Sequence, residues 1–416
     1  MTPLATSLRS VVVIGAGQAG LQSSESLRTA GFAGSITLVG EEPCGPYHRP
    51  PLSKAWLAGE LEAAQLAMRS PEVLARKDIA LRTGSHAQCI DRVTRTVLLA
   101  DGGSLAYDGL VLATGSRPRL LSVPGSAARN VLALRSRDDA TALSEHLGRC
   151  AASNLPVVVV GGGFIGLEVA ATARKKGLAV TVLEAAPRLL ARVLTPQLSE
   201  WFAALHAGHG VELVFDARLE TIETRDDLAV AVHCADGRSY PCGVVVVGIG
   251  VEANDLLARA AGLECDRGIV VDECARTSDP AIVAAGDCTA RRLADGTLLR
   301  LESVNNASEQ GKSAAAALLG IPRPFTGTPW FWSDQHGVKL QMAGLSTGSD
   351  RWVARGPLTD RAFSIFHFQG LRLIGVDSIN ASKDHLLARK LLDAGVSPTP
   401  TQAADTAFDL ATLLRT

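Results

Sequence analysis

One plan is written twice in this chain. An apolar strand, a glycine-rich turn, an amphipathic helix, a second apolar strand and an acidic residue run in that order from Val11 to Glu41 and again from Val157 to Glu184. Such self-similarity confines the fold, because a β-α-β unit covers its strands only by joining a parallel sheet with helices laid on it. In the first copy residues 11–14 form the strand and Gly15-Ala16-Gly17-Gln18-Ala19-Gly20 opens the helix. Gly31 ends that helix, residues 36–39 resume as strand, and Glu41 closes the unit. Gly15 makes the tight turn, Gly17 admits a pyrophosphate against bare backbone, and Gly20 lets helix and strand pack closely. The phosphates then meet the N–H groups and dipole of a helix N-terminus. Glu41, 21 residues past Gly20, is placed to accept hydrogen bonds from ribose hydroxyls. A GxGxxG is weak alone; with strand, helix, second strand and terminal acid it predicts a dinucleotide site.

The second copy places Gly161, Gly163 and Gly166 after the strand 157–160, ends its helix at Lys175-Lys176-Gly177 and closes on Glu184. Ala185-Ala186 follow Glu184, so a ribose 2′-phosphate would meet a carboxylate without an immediate counter-charge, and NADH is preferred over NADPH. Arg188 and Arg192 lie near enough in sequence to shift that preference or to be solvated loop charges. At 416 residues two or three domains are expected. A net charge of -1 argues against nucleic-acid binding. Apolar runs are broken too often by glycine and charge to span a bilayer. The N-terminus lacks the succession of a signal peptide, so a cytoplasmic location is expected. The eight cysteines include no CxxC pair, and the nine histidines show no ligand spacing, so no metal site is expected.

Between the two units stands Tyr107-Asp108-Gly109-Leu110-Val111-Leu112-Ala113-Thr114-Gly115, and later Ala284-Ala285-Gly286-Asp287. With the two glycine turns, these segments resemble the pyridine nucleotide-disulfide oxidoreductase superfamily. The resemblance implies FAD at the first site, a nicotinamide cofactor at the second, and Asp287 on the FAD ribityl chain. Disulfide reductases of that superfamily carry a CxxxxC pair near residues 46–54, where this chain reads Pro46-Tyr47-His48-Arg49-Pro50-Pro51-Leu52-Ser53-Lys54. That run is similar to the ferredoxin reductases of putidaredoxin-reductase and biphenyl-dioxygenase-reductase type. The similarity continues through residues 160–170, 247–251, 300–304 and Trp330-Phe331-Trp332-Ser333-Asp334-Gln335.

The resemblance implies an α/β, glutathione-reductase-like architecture. An FAD domain is made of residues 1–115 and 247–322, an NAD domain of 116–246, and a C-terminal α+β domain of 323–416. In that last part residues 338–345, 351–355, 363–368 and 373–378 alternate as strands and 383–395 reads as a helix. The implied FAD contacts are Gly15, Gly17, Ala19, Gly20, Glu41, Arg49, Lys54, Thr114, Gly115, Arg117, Asp287, Val304 and Trp332. The implied NAD contacts are Gly161, Gly163, Phe164, Ile165, Gly166, Glu184 and Gly250. Lys54 and Glu168 are expected beside the flavin ring as a pair compensating each other's desolvation, although a loop lysine and a helix-surface glutamate would look the same in sequence. Trp332 is expected by the flavin toward the acceptor, or equally as an apolar core residue. His336 reads as a packed or surface histidine.

The implied activity passes electrons from NADH through FAD to a [2Fe–2S] ferredoxin serving a haem-thiolate monooxygenase or a Rieske dioxygenase, by a monomer or weak homodimer. Arg291, Arg292, Lys312, Lys339 and Lys383 are candidates to receive an acidic ferredoxin, or plain surface charge. Two other readings stay open. Cys44 is placed as in single-cysteine NADH oxidases, peroxidases and coenzyme A-disulfide reductases, and an NADH-sensing flavoprotein of the apoptosis-inducing-factor kind would share the same cofactor sites.

Overall fold

Uncharged runs of β-branched residues become the central strands. In the structure, a computed structural model that describes residues 8–415, Val11, Val12, Val13 and Ile14 are no more than 5% exposed. Such burial on both faces suits parallel strands sandwiched by other layers. Two units make up the chain. One comprises Met1–His48, Ala63–Arg117 and Val251–Gly327, the other Arg49–Glu62, Pro118–Gly250 and Thr328–Thr416.

The first unit holds a five-stranded parallel sheet in the order Ile282–Ala284, Gly109–Leu112, Ser10–Ile14, Ser35–Val39, Ile79–Arg82. Helix Gln18–Thr29 crosses helix Val304–Leu318 so closely that a Cβ on Gly311 would stand 2.8 Å from the Ala19 carbonyl oxygen. A three-stranded antiparallel sheet, Ala87–Asp91, Thr96–Leu99 and Ser104–Ala106, is inserted between the edge strand Ile79–Arg82 and Gly109–Leu112.

The second unit repeats this arrangement. Its parallel sheet runs Val211–Val214, Val180–Leu183, Val157–Val160, Val244–Val247, Val131–Ala133. Its own antiparallel insert, Leu219–Arg225, Leu228–Cys234 and Ser239–Pro241, lies between the corresponding strands, Val211–Val214 and Val244–Val247. The repeat therefore extends well beyond the β-α-β segments visible in the sequence. Only the outermost strand differs in origin: it closes the first sheet late in the chain and enters the second sheet early.

The same unit carries a five-stranded antiparallel sheet ordered Trp330–Gln335, Val338–Gly344, Arg372–Ile379, Phe363–Gln369, Arg351–Arg355. Helix Ser382–Asp393 covers it through Ala388 and Leu391 against Phe366, Phe368 and Val376. The first of these strands was not expected as a strand. It joins Val338–Gly344 through His336 and Gly337, whose φ values of 50° and 74° suit the two-residue turn that matches the twist of a hairpin. Among the described residues no helix is long and apolar enough to cross a membrane.

Gly20 and Gly17 separate packing from access. A Cβ on Gly20 would lie 1.9 Å from the Gly15 carbonyl oxygen, whereas one on Gly17 would meet nothing within 4 Å. Gly20→Ala is expected to cost about 3 kcal/mol and Gly17→Ala no more than about 1 kcal/mol, measured by urea denaturation. Equal losses at the two positions would contradict the close packing of the helix on the Gly15 turn.

Candidate functional site

The first unit brings the glycine turn, the Thr114 turn and the Asp287 turn onto one sheet edge. Gly15 adopts φ 106° and donates its N–H to the Val39 carbonyl at 2.8 Å. A Cβ there would stand 2.0 Å from the Ala113 carbonyl oxygen, so the turn closes only with glycine. Helix Gln18–Thr29 begins at Gly17 without a side-chain cap. Its first N–H groups, above the open space at Gly17, are a ready anion site. This cradle fits the pyrophosphate of a dinucleotide.

Gly286, with φ 87°, brings the chain against Ala19, whose Cβ would be 3.0 Å from a Cβ on Gly286. Asp287 accepts a hydrogen bond from Ser116 Oγ at 3.0 Å. Thr114 Oγ1 donates to the Asn254 carbonyl at 2.6 Å, and Asn254 Nδ2 returns a bond to the Thr114 carbonyl at 3.0 Å. Arg117 is held by Asn254 Oδ1 and Glu252 at 3.3 and 3.0 Å. Gly115, with φ 68°, turns the chain between them. Val304 opens its helix behind Ser303, which caps the Asn306 N–H. Gln310, which the sequence reading did not single out, accepts from Gly286 N, Thr289 Oγ1 and Asn306 Nδ2 and so fixes the Asp287 turn from beneath. Glu41 is exposed beyond the strand end, 3.1 Å from His86 Nδ1.

The second unit contains the matching turn. Gly161 also has φ 106°, and a Cβ there would stand 2.5 Å from the Gly248 carbonyl oxygen. Gly163 begins helix Phe164–Lys175, again without a side-chain cap, and Gly166 packs onto Gly161. Glu184 is clamped by the N–H groups of Gly162 at 2.6 Å and Ala186 at 2.7 Å. Arg188 is turned away from it, spending its guanidinium on the Leu194 and Ala191 carbonyls and Ser199 Oγ. Arg192 instead reaches over Gly250, with Nη2 3.3 Å from where a Cβ on that glycine would stand. Ile165 is 36% exposed at the helix start, and the Phe164 ring lies 4.6 Å from that of Phe331.

In the same unit the lysine and glutamate meet. Lys54 Nζ lies 2.7 Å from Glu168 Oε2, and Glu168 is only 5% exposed. The Pro50–Ser53 turn sets Lys54, whose Nζ also donates to the Pro50 carbonyl at 3.2 Å. Thr172 Oγ1 ties the turn to the helix through the Ser53 carbonyl at 2.9 Å, and Arg49 Nη1 anchors it to the Arg135 carbonyl at 2.8 Å. Two further donors complete the carboxylate: Ser53 Oγ on Oε2 and Ser333 Oγ on Oε1, both at 2.5 Å. A solvated helix-surface glutamate is therefore excluded. The strand that supplies Ser333 also presents Trp332, half-buried, 5.5 Å from the Trp330 ring.

Ser53, Ser333, Gln335 and His206 were not anticipated. Ser333 and Gln335 lie two residues apart on one face of a strand, a period-two signal hidden by reading the segment as a motif. Burial, outweighing the Gln335 hydrogen bond, lowers the pKa of His206 to about 4. Burial and the neighbouring imidazoles, with Arg174, lower His336 to about 3. Of the basic residues considered for docking, three have partners within the chain: Arg291 caps the Phe325 carbonyl and lies over its ring, Arg292 pairs with Glu264 and Lys312 with Glu309.

Residues 9–311 match the family described as pyridine nucleotide-disulphide oxidoreductase, and residues 330–414 match the family described as reductase C-terminal. The chain is 47% identical over 402 residues to a rhodocoxin reductase of Rhodococcus erythropolis, covering 96% of this chain and 93% of that protein. It is 41% identical over 408 residues to a putidaredoxin reductase of Pseudomonas putida, covering 96% and 95%. The reductase in a crystal structure of a covalent putidaredoxin reductase–putidaredoxin complex superposes with a TM-score of 0.93 at 39% identity, covering 98% of each chain.

Two outcomes follow from this geometry. Glu168→Gln leaves the half-buried Lys54 without its counter-charge and is expected to cost about 2 kcal/mol, less than for a fully buried pair because the ammonium is partly solvated, read by urea denaturation. His206 supplies a pH dependence. Its folded pKa lies below the unfolded value, so between about pH 6.5 and 4 only the unfolded chain binds the proton. Stability should fall as pH is lowered through that window, by up to about 1.4 kcal/mol per pH unit from this residue. His206→Leu should reduce the slope in that window by its share, while His336 and His385, lowered to about 3 and about 4 by burial, keep theirs; an unaltered slope would contradict the assignment.

Proposed function

Because the chain belongs to the pyridine nucleotide-disulphide oxidoreductase family, we propose that it is an NADH-dependent ferredoxin reductase that delivers electrons to a [2Fe–2S] protein serving an oxygenase. The observation that carries this reading is the buried Lys54–Glu168 pair at 2.7 Å. Its lysine stands on the segment in which disulfide reductases of the family carry their cysteine pair, and its glutamate on helix Phe164–Lys175. The named relatives, a rhodocoxin reductase and a putidaredoxin reductase, support the same activity class.

FAD fits the first glycine cradle and NADH the second. Gly15, Gly17, Ala19, Gly20 and Glu41 would hold the adenine side of FAD, with Thr114, Gly115, Arg117, Asp287 and Val304 along its chain and Arg49, Lys54 and Trp332 at the ring. Gly161, Gly163, Phe164, Ile165, Gly166, Glu184 and Gly250 would hold NADH. These assignments divide the chain into an FAD domain of 1–115 and 247–322, an NAD domain of 116–246 and a C-terminal domain of 323–416. When bound, the flavin accepts two electrons from the nicotinamide and releases them singly, which no side chain of this protein can do.

The chain's own residues bind, orient and exclude water. Glu184 offers carboxylate oxygens to ribose hydroxyls and disfavours a 2′-phosphate; Arg188, engaged with its own turn, supplies no compensating charge. Lys54 presents an ammonium fixed by Glu168 and the Pro50 carbonyl, a charge that favours electron arrival beside it. Glu168 keeps that ammonium in place with both carboxylate oxygens occupied, and no further acid or base is needed. The protein acts in the cytoplasm as a monomer or weak dimer.

Cys44 carries the competing reading, that of a peroxide- or disulfide-reducing enzyme. NADH-driven cytochrome c reduction, measured with and without [2Fe–2S] ferredoxin, is expected to depend on ferredoxin and to remain within about twofold in Cys44→Ser. Turnover with peroxide or a disulfide that disappears in Cys44→Ser would transfer the protein to the single-cysteine class.

A further inference from the structure

Glu168 is the inner end of a hydrogen-bonded chain whose outer end lies at His336 and His209. His336 Nε2 lies 3.2 Å from His206 Nδ1, and His206 Nε2 lies 2.8 Å from Gln335 Oε1. Gln335 Nε2 lies 3.0 Å from Ser333 Oγ, which lies 2.5 Å from Glu168 Oε1. His209 stacks on the outer face of His336 at 4.0 Å. Ser333, Gln335 and His206 are no more than 1% exposed, so water does not compete for these links.

Donor and acceptor chemistry leaves one arrangement of the protons. The carboxylate oxygen only accepts, so Ser333 donates to it. The Ser333 oxygen then accepts from the Gln335 amide nitrogen, which turns the amide oxygen toward His206. That oxygen also only accepts, so His206 carries its proton on Nε2 and offers a bare Nδ1 to the Nε2–H of His336. Every donor in the chain points toward Glu168. Both histidines remain neutral near pH 7, being lowered to about 4 and about 3 by burial and their neighbours, so this polarity is held across neutral pH.

We propose that Gln335 and His206 are positioning residues for the reductase reaction: they hold the Ser333 hydroxyl as a fixed donor on Glu168 and so fix the Lys54–Glu168 pair. This rests on the ferredoxin-reductase reading. A carboxamide in the middle of the chain interrupts proton hopping, so the work of the chain is orientation rather than conduction.

Gln335→Met keeps the side-chain volume and removes both donor and acceptor. In the flavin-loaded protein it is expected to slow flavin reduction by NADH roughly 10- to 100-fold and to shift the flavin midpoint potential. In the same flavin-loaded protein, 15N imidazole shifts should show His206 as the Nε2–H tautomer before substitution and as a mixture after it. Gln335→Glu separates orientation from packing. As a neutral acid the replacement offers one donor and one acceptor, like the amide; as a carboxylate it only accepts, and draws the Ser333 proton away from Glu168. The charged or titratable groups facing it are Glu168 through Ser333, then His206, His336, His209 and Arg174. The ratio of its flavin-reduction rate to that of the unsubstituted protein should therefore fall as pH rises. The proposal is overturned if Gln335→Met lowers only the melting temperature, leaving potential and tautomer unchanged, or if the Gln335→Glu ratio is flat with pH. Failure of ferredoxin-dependent turnover in the unsubstituted protein would instead remove the functional reading, and the tautomer measurement would still decide the orientation of the chain.

Discussion

The architecture depends on two places where backbone comes so close to backbone that no side chain fits. At Gly15 the chain leaves its central strand beside the carbonyl of Ala113, at the end of the neighbouring strand Gly109–Leu112. At Gly161 it does the same beside the carbonyl of Gly248, after Val244–Val247. Both turns use the same positive φ of 106°. The approach makes the strand before the glycine central, with a parallel partner on either side. It also starts the next helix immediately, with N–H groups uncapped at the sheet's carboxyl edge, where doubly wound folds bind their ligands. Gly20 and Gly166 then bring each helix down onto the turn it came from, so the helix axis and the opening at its N-terminus are set together.

Burying Glu168 is a different kind of constraint. A carboxylate at 5% exposure is expensive unless both its oxygens have donors. Here Lys54, Ser53 and Ser333 supply them, and Gln335 and His206 determine which way the last of these points. An apolar cluster of the same volume would serve stability as well or better. The arrangement is therefore understood through what a fixed ammonium does at its exposed side, where Lys54 emerges, rather than through what it contributes to folding.

The parallel sheets were legible because fully buried strands read as uninterrupted Val and Ile runs and because their glycine turns have fixed spacing. The meeting of Lys54 with Glu168 was legible only by resemblance, since 114 positions separate them and neither is unusual by type. The strand Trp330–Gln335 was missed because its aromatic residues drew attention as a motif, while its alternation, carried by Ser333 and Gln335, is polar inward. Polar inward alternation resembles a surface strand until the buried carboxylate it serves is known. His206 gave no signal at all: it lies within the apolar helix Pro196–Gly208, and its role comes from a partner 129 positions away. The full extent of the duplication was also hidden, because the antiparallel inserts share topology without an obvious shared sequence.

Duplication of the scaffold leaves two similar turns with different surroundings. The strand registers pair Ile14 with Val39 and Val160 with Leu183, which makes Gly40 the counterpart of Glu184 and Ala16 the counterpart of Gly162. The same small space is filled in opposite ways. In the first unit the Ala16 methyl occupies it, and a Cβ on Gly40 would collide with that methyl at 2.8 Å. In the second unit the Glu184 side chain occupies it, and a Cβ on Gly162 would stand 3.0 Å from the carboxylate. A glutamate at position 40 is therefore sterically tied to glycine at position 16, and alanine at position 162 to the loss of Glu184's clamp. The acid of the first unit is displaced by one residue to Glu41, where it is exposed and paired with His86. The second keeps its acid rigid between two backbone N–H groups. One methyl, present at residue 16 and absent from residue 162, thus decides whether a strand-end acid can fold back onto its turn.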